Sequence, residues 1–310
     1  MTTPKAPYYE SRFVRANDPE RARALWLRQT LLLPTVGAAV ADVWVMVFDP
    51  SGHRAVKQQF PLAEADFTDE WAARIASATL DDTHTSGAFS DAQWDLKITA
   101  SGQGPVRVLS DRAYRARIPT AKTMVRDPLA RFDGSFEAAG RRIDVDGWVG
   151  SVNHNWGTRH TPAYAYGQVC GFDNAPESTL EIVTARAALG PVLLPGVTVF
   201  VFRHRGQQFA VRSISASLLT HGHYAPFTWT FGARVGEQMI EGEITTVPAD
   251  VIGLTYTDTH GGVKYCYNSA LASCRLQVAG KAFERTELAS GRAMFEILTD
   301  DRLESVPLLA

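Results

Sequence analysis

From Gly147 to His160 the chain reads Gly-Trp-Val-Gly-Ser-Val-Asn-His-Asn-Trp-Gly-Thr-Arg-His, gathering two indoles, two imidazoles, two carboxamides and a guanidinium in one short stretch. A solvated loop has little use for two tryptophans, and an ordinary core strand has little use for Asn-His-Asn. Polar groups among large aromatics suit a pocket wall with a few placed hydrogen-bonding groups. If the stretch is extended, Asn153, Asn155 and Gly157 face one side, and His154, Trp156 and Thr158 face the other. His154 and Trp156 then share a wall, where an imidazole can position water or transfer a proton beside an apolar substrate. The plainer alternative is a histidine bonded to a backbone carbonyl, with the asparagines serving a turn.

Downstream, Tyr164 and Tyr166 fall on one face of a strand. Glu181 is set in the apolar run Leu180-Glu181-Ile182-Val183-Thr184-Ala185-Arg186, opposite in direction to Leu180 and Ile182. On a barrel-interior face its carboxyl would lose water, its pKa would rise, and it could act as a neutral acid near pH 7. A salt bridge to Arg186 or a solvated position would leave it an ordinary carboxylate. The reading therefore takes His154, Trp156 and Glu181 as catalytic candidates. Trp148, Asn153, Asn155, Arg159, His160, Tyr164 and Tyr166 are the ligand-binding candidates.

His221, His223 and His260, with His154 and His160 as further ligands, raise the question of a metal, but no cysteine or carboxylate spacing accompanies them, and no metal is expected. Glycine-rich nucleotide loops, a Gly-x-Ser-x-Gly elbow and a His-Glu-x-x-His motif are missing from the sequence. No cofactor is expected.

These groups must be positioned by strands. The run from Ala41 to Phe48, the turn Asp49-Pro50-Ser51-Gly52 and a second run to Phe60 read as a hairpin. Trp94 to Thr99 alternates, and in the second half Arg205-Gly206, Gly236-Glu237 and Gly261-Gly262 punctuate further strands. Such spacing predicts antiparallel barrels or sandwiches. Asp18–Ala24 and Glu64–Ala78 have helical spacing, and Leu129–Phe136 is rich in turn residues.

At 310 residues, two domains are expected, here 1–168 and 169–310. Hydrophobic residues make up 45% and charged residues 21%, enough for a sizeable core, and the net charge of −2 offers nothing to nucleic acid. No apolar run is long enough to span a bilayer, the first 25 residues lack a signal-peptide pattern, and three unpatterned cysteines suit a reducing compartment. A cytoplasmic location is the expectation, with oligomeric state left open.

Three stretches resemble the AttH-like/carotenoid 1,2-hydratase superfamily. They are Tyr9-Glu10-Ser11-Arg12-Phe13-Val14-Arg15-Ala16-Asn17-Asp18-Pro19 with Ala24 to Leu31, the central Asn153-His154-Asn155-Trp156-Gly157, and Cys266-Tyr267-Asn268-Ser269-Ala270-Leu271-Ala272. The resemblance implies an all-β fold of two tandem lipocalin-like antiparallel barrels, and makes Asp18–Ala24 and Glu64–Ala78 strand and loop. It also implies chemistry on hydrophobic molecules, such as adding water to a carbon–carbon double bond or closing a ring by protonating one. In the hydratases the His-x-Trp unit matched by His154 and Trp156 is implicated in catalysis together with a Tyr-x-Asp. This sequence has no Tyr-x-Asp at that distance, and Glu181 lies near there instead. The expectation is a cofactor-independent enzyme using acid catalysis on a hydrophobic, isoprenoid-like small molecule. The alternatives are a non-catalytic carrier of such a ligand and a scaffold whose aromatic segment cements two barrels.

Overall fold

The computed structural model describes residues 5–67, 71–138, 140–189, 192–280 and 283–310. Two large antiparallel sheets, curled into a barrel and a half-barrel, follow one another along the chain. In the first, Tyr8–Asn17 is central, pairing with Ala24–Leu33 on one side and with the much later Arg141–Gly157 on the other. The second repeats the plan: Ala163–Phe172 pairs with Ala175–Arg186 and with Phe283–Thr299. Each unit thus zips its last long strand beside its first. The chain passes between sheets at 158–162, so the expected division at 168/169 falls inside the Ala163–Phe172 strand.

Local signals explain many connections. In the Val40–Phe48/Arg54–Pro61 hairpin, Asp49 accepts hydrogen bonds from the Ser51 and Gly52 amides. Arg205 and Gly206, at φ 49° and 72°, form the doubly left-handed two-residue turn that matches strand twist between Val197–His204 and Gln207–Val211. Neither segment with helical spacing forms a helix, in keeping with the strand and loop that the resemblance implied. Asp18–Ala24 is a turn leading into a strand, and 64–78 carries the short strands Ala65–Asp66 and Ala73–Ile75, with 68–70 outside the described residues. The stretch from Leu129 to Phe136 belongs to the 18-residue strand Ala121–Ala138, whose register shifts absorb its turn-forming residues.

Burial patterns reveal how the sheets stack. Ala92–Ala100 alternates buried and exposed, as a strand with one wet face does, whereas every residue of Ala24–Leu33 is buried. One face of that strand, with Leu25, Leu27 and Leu31, fills the interior of the first unit. The other face, with Ala24 and Trp26, meets Ile252, Leu254, Tyr256, Met294 and Leu298 of the second sheet. The outer faces of the two sheets are therefore packed on each other, forming a seam. The second unit's interior is filled by its own side chains: the gap beside Ile182, Phe200, Phe231 and Ile240 has no room for a water molecule.

Close approach of Arg141–Gly157 to Tyr8–Asn17 depends on Gly150, where a Cβ would lie 1.8 Å from the Arg15 carbonyl oxygen. Gly291, by contrast, faces open space. Gly150→Ala is expected to lower unfolding free energy by about 3 kcal/mol through overpacking. Gly291→Ala should stay within about 0.5 kcal/mol. Urea titrations of both variants check the contrast.

Candidate active site

The register between Tyr8–Asn17 and Arg141–Gly157 is unbroken from Tyr9–Gly157 to Asn17–Val149, so the central motif alternates strictly. Ser151 and Asn153 lie opposite Arg15 and Phe13 and face the seam, while Val152 and His154 lie opposite Val14 and Arg12 and face the interior of the first unit. The motif is divided between two compartments.

In the seam, Gln168 is the hub and is fully buried. Its side-chain oxygen accepts from Arg15 Nε and from Ser151 Oγ (2.7 Å). Its amide nitrogen donates to Asn153 Oδ1 (2.9 Å) and to Glu181 Oε1. Asn153 donates in turn to Ser151 Oγ at 2.9 Å. Tyr166 donates its hydroxyl to the other Glu181 oxygen at 2.8 Å. Glu181 is only 1% exposed, and its described hydrogen-bond partners are Gln168 and Tyr166, while Arg186 bonds the Leu194 carbonyl. Burial pushes the Glu181 carboxyl up to about 7, against the opposing pull of the Gln168 and Tyr166 hydrogen bonds and the Arg15 charge. The desolvated acid read from the sequence is present, but on the outer face of the second unit under the first sheet, not in a barrel interior.

Apolar clusters flank this polar island. Val106, Val108, Val125, Val199 and Val201 close one side, and the Phe13–Trp26–Trp44 group closes the other. Farther along, Tyr164 bonds Glu296, whose carboxyl burial also raises, and Arg28 bonds Tyr256. Three buried polar atoms of the seam, Trp26 Nε1, Trp44 Nε1 and Asn268 Oδ1, have no hydrogen-bond partner among the described residues.

His154 and Trp156 occupy the other compartment, their rings stacked with centroids 4.5 Å apart. Trp71 packs edge-on against His154, and Tyr114 stacks on Trp156. Glu10 accepts from Tyr8 and Arg12, and those donors with His154 outweigh its burial and hold its carboxyl below the usual range. An ionised Glu10 makes His154 Nε2 the donor in their 2.9 Å contact. Nδ1 is buried and unpartnered among the described residues.

The remaining candidates are scattered. Trp148 is buried in the core of the first unit. Asn155 accepts from Thr123. His160 stacks on Tyr9 and contacts Asp258 at 3.3 Å, and Arg159 is exposed, 3.9 Å from the same carboxylate. His221 and His223 stack on the outer Thr220–Ala225 strand. The structure thus unites Asn153, Tyr166 and Glu181 and separates them from His154 and Trp156. Sequence reading passed over Arg15, Gln168, Ser151, Glu10 and Glu296. The available signal was charge on both faces of the Tyr8–Asn17 strand, which a half-exposed strand would not carry.

Folding should be linked to protonation of Glu181. With the folded value near 7 and an ordinary value of 4.5, the native state holds more protons between those limits. Its stabilising share is complete below about pH 4.5 and is lost as pH rises through about 7. Glu181→Gln is expected to remove this dependence, gaining up to about 3 kcal/mol relative to the parent across that window. Denaturation at pH 5 and pH 8 measures it, and parallel pH profiles for the two proteins would refute it.

No family model matches the sequence. An uncharacterized protein from Mycobacterium tuberculosis is 25% identical over 277 residues, spanning 87% of this chain and 80% of that protein. Among solved structures, an AttH from Nitrosomonas europaea aligns with a TM-score of 0.56 at 12% identity, covering 94% of this chain and 91% of its own. CghA aligns with a TM-score of 0.64 at 9% identity, covering 96% and 90%. Kievitone hydratase from Nectria haematococca aligns with a TM-score of 0.54 at 8% identity, covering 94% and 88%. At such identities the likeness is one of fold. This chain shares its fold with these three proteins, two lipocalin-like β units in tandem joined across a buried seam.

Proposed function

We propose that the protein is a cofactor-independent enzyme that protonates a carbon–carbon double bond in a hydrophobic, isoprenoid-like small molecule, with Glu181 as the acid. The observation that carries this reading is a fully buried carboxyl poised near neutrality, between two hydrogen-bond donors and beside an apolar wall. In water a carboxyl has released its proton by pH 7, whereas Glu181 keeps a substantial share. Kievitone hydratase, which shares the fold, is by its name a hydratase, and that supports the same class of chemistry.

In this reading the alkene comes against Glu181 from the side of Val199 and Val201, and the sheets part there to admit it. The Glu181 proton moves to one alkene carbon, leaving a carbocation on the other and a carboxylate on the protein. Tyr166 and Gln168 donate to that carboxylate, and the Tyr166 ring face favours the nearby cation. Attack by water forms the carbon–oxygen bond, and the released proton returns to Glu181. Asn153, Ser151 and Arg15 fix the Gln168 amide and so the acid's orientation.

A second reading rests on the unpartnered His154 Nδ1, stacked on Trp156 and held from behind by Glu10. There the imidazole is the acid–base group and the aromatic rings form the substrate wall. Linear carotenoids and prenylated phenols incubated with the protein in heavy water separate the possibilities. The Glu181 reading expects products carrying deuterium on carbon, activity falling above about pH 7, and a loss of 10²–10⁴-fold in Glu181→Gln with binding retained. Loss in His154→Gln with Glu181→Gln unaffected transfers the reaction to the first unit. Saturable binding without conversion by the parent protein establishes a carrier.

A further inference from the structure

Val192, Leu193, Leu194, Leu218 and Leu219 stand in solvent at one end of the second unit, Val192 by 60%, Leu218 by 83% and Leu219 by 68%. Both groups sit on connections beside the start of the Val197–His204 strand. Leu194 leads into that start, held by its own amide bond to the Ala187 carbonyl (2.8 Å) and by Arg186 Nε, which donates to its carbonyl (3.1 Å). Leu218 and Leu219 lead into Thr220–Ala225, which passes close by: a Cβ on Gly222 would lie 2.3 Å from Thr198 Oγ1. Single exposed leucines are ordinary, but a clustered apolar lip marks a contact surface.

The charge around the lip is chiefly positive. From 182 to 236 the chain has five arginines and no aspartate or glutamate, in a protein whose net charge is −2. Arg186 and Arg212 belong to the connections that carry the lip. The first sheet adds to them, because the Ser110 amide donates to the Arg212 carbonyl at 2.9 Å. Ser110 caps the short helix Asp111–Arg115, which presents Arg112 and Arg115 to solvent, while its acid Asp111 faces Arg107 at 3.6 Å. The turn after Thr228–Val235 reaches the same end and adds Arg234 and Glu237, one charge of each sign.

Exposed aliphatic side chains ringed by cations fit a bilayer with anionic headgroups. The side chains enter the acyl boundary, and the guanidinium groups stay with the phosphates. We infer that this end of the second unit docks on an anionic lipid surface, with Leu218 and Leu219 as the inserting pair. Behind the lip the apolar character continues inward. The cross-strand pairs Ala185–Val197 and Val183–Val199 lead along the outer face to Glu181–Val201, beneath Val108 and Val125 of the first sheet. The lip is therefore continuous with the seam, yet docking stands whether or not Glu181 turns over an alkene.

Flotation of the full chain with vesicles of phosphatidylcholine, alone or with one-third phosphatidylglycerol, tests the inference. The protein is expected to float with the anionic vesicles, and less so as salt rises. Leu218→Ser with Leu219→Ser should weaken binding by at least about tenfold through lost apolar burial. Arg112→Gln with Arg115→Gln should weaken it roughly twentyfold and flatten its salt dependence. Val247→Ser, at an exposed position on a connection at the opposite end, should bind as the parent does. All these side chains are exposed, and thermal melts check that each variant stays folded. Failure of the parent protein to float with anionic vesicles would overturn the inference. So would equal binding to neutral vesicles, or undiminished binding by the leucine variant. A dimer that the leucine substitutions dissolve, with no vesicle binding, would assign the lip to a second copy instead.

Discussion

The architecture depends on burying one polar island between two sheets. Arg15, Gln168, Glu181, Asn153 and Ser151 leave water together, and they can do so only as a set. Each stranded donor or acceptor would cost about 1–3 kcal/mol, and a stranded charge more. Gln168 meets this constraint by using both amide groups at once, accepting from the first sheet and donating to both. A relative slide of the sheets would break the three bonds that join Arg15, Ser151 and Asn153 to Gln168, so the island fixes how the units dock. The apolar clusters on either side supply adhesion without such directional demands.

Two buried carboxyls show how environment divides their roles. Glu10 gathers donors from Tyr8, Arg12 and His154 and stays ionised, a fixed anion that orients an imidazole. Glu181 has neutral hydrogen-bond donors, with the Arg15 charge spent on Gln168, Asn17 and main-chain carbonyls, and burial dominates. Carboxyls with such unlike surroundings are suited to different tasks, one electrostatic and one protonic. At the start of the second unit, His160 is pulled below the usual imidazole range by burial, although Asp258 opposes the shift. Asp258 is held at about 2, the His160 and Thr259 contacts overriding its own burial. The junction between units is therefore tied by a carboxylate that keeps its charge.

Strict alternation in the central strand has a further consequence for function. Asn153 serves the seam and His154 serves the first interior, although they are adjacent in sequence. A motif that is continuous along the chain is divided between two compartments, separated by the thickness of a sheet. Trp148 shares the inward face with His154 but belongs to the packed core.

The sequence by itself determined the strand content, the hairpin turns, the opposed directions of Asn153 and His154, and the placement of Glu181 against the direction of Leu180 and Ile182. These follow from residue type and a period of two, which need only local geometry. Tertiary structure decided which face of each strand is covered, and by what. Arg15 and Gln168 are 153 residues apart, and nothing near either one announces its partner. Ala24–Leu33 carries Arg28 and Gln29 yet is wholly buried, because a second sheet lies over the face that a lone sheet would give to water. Alternation defines two sides of a strand, but only the docking of distant strands makes one of them an interior, and here the outer faces became the more polar interior of the two.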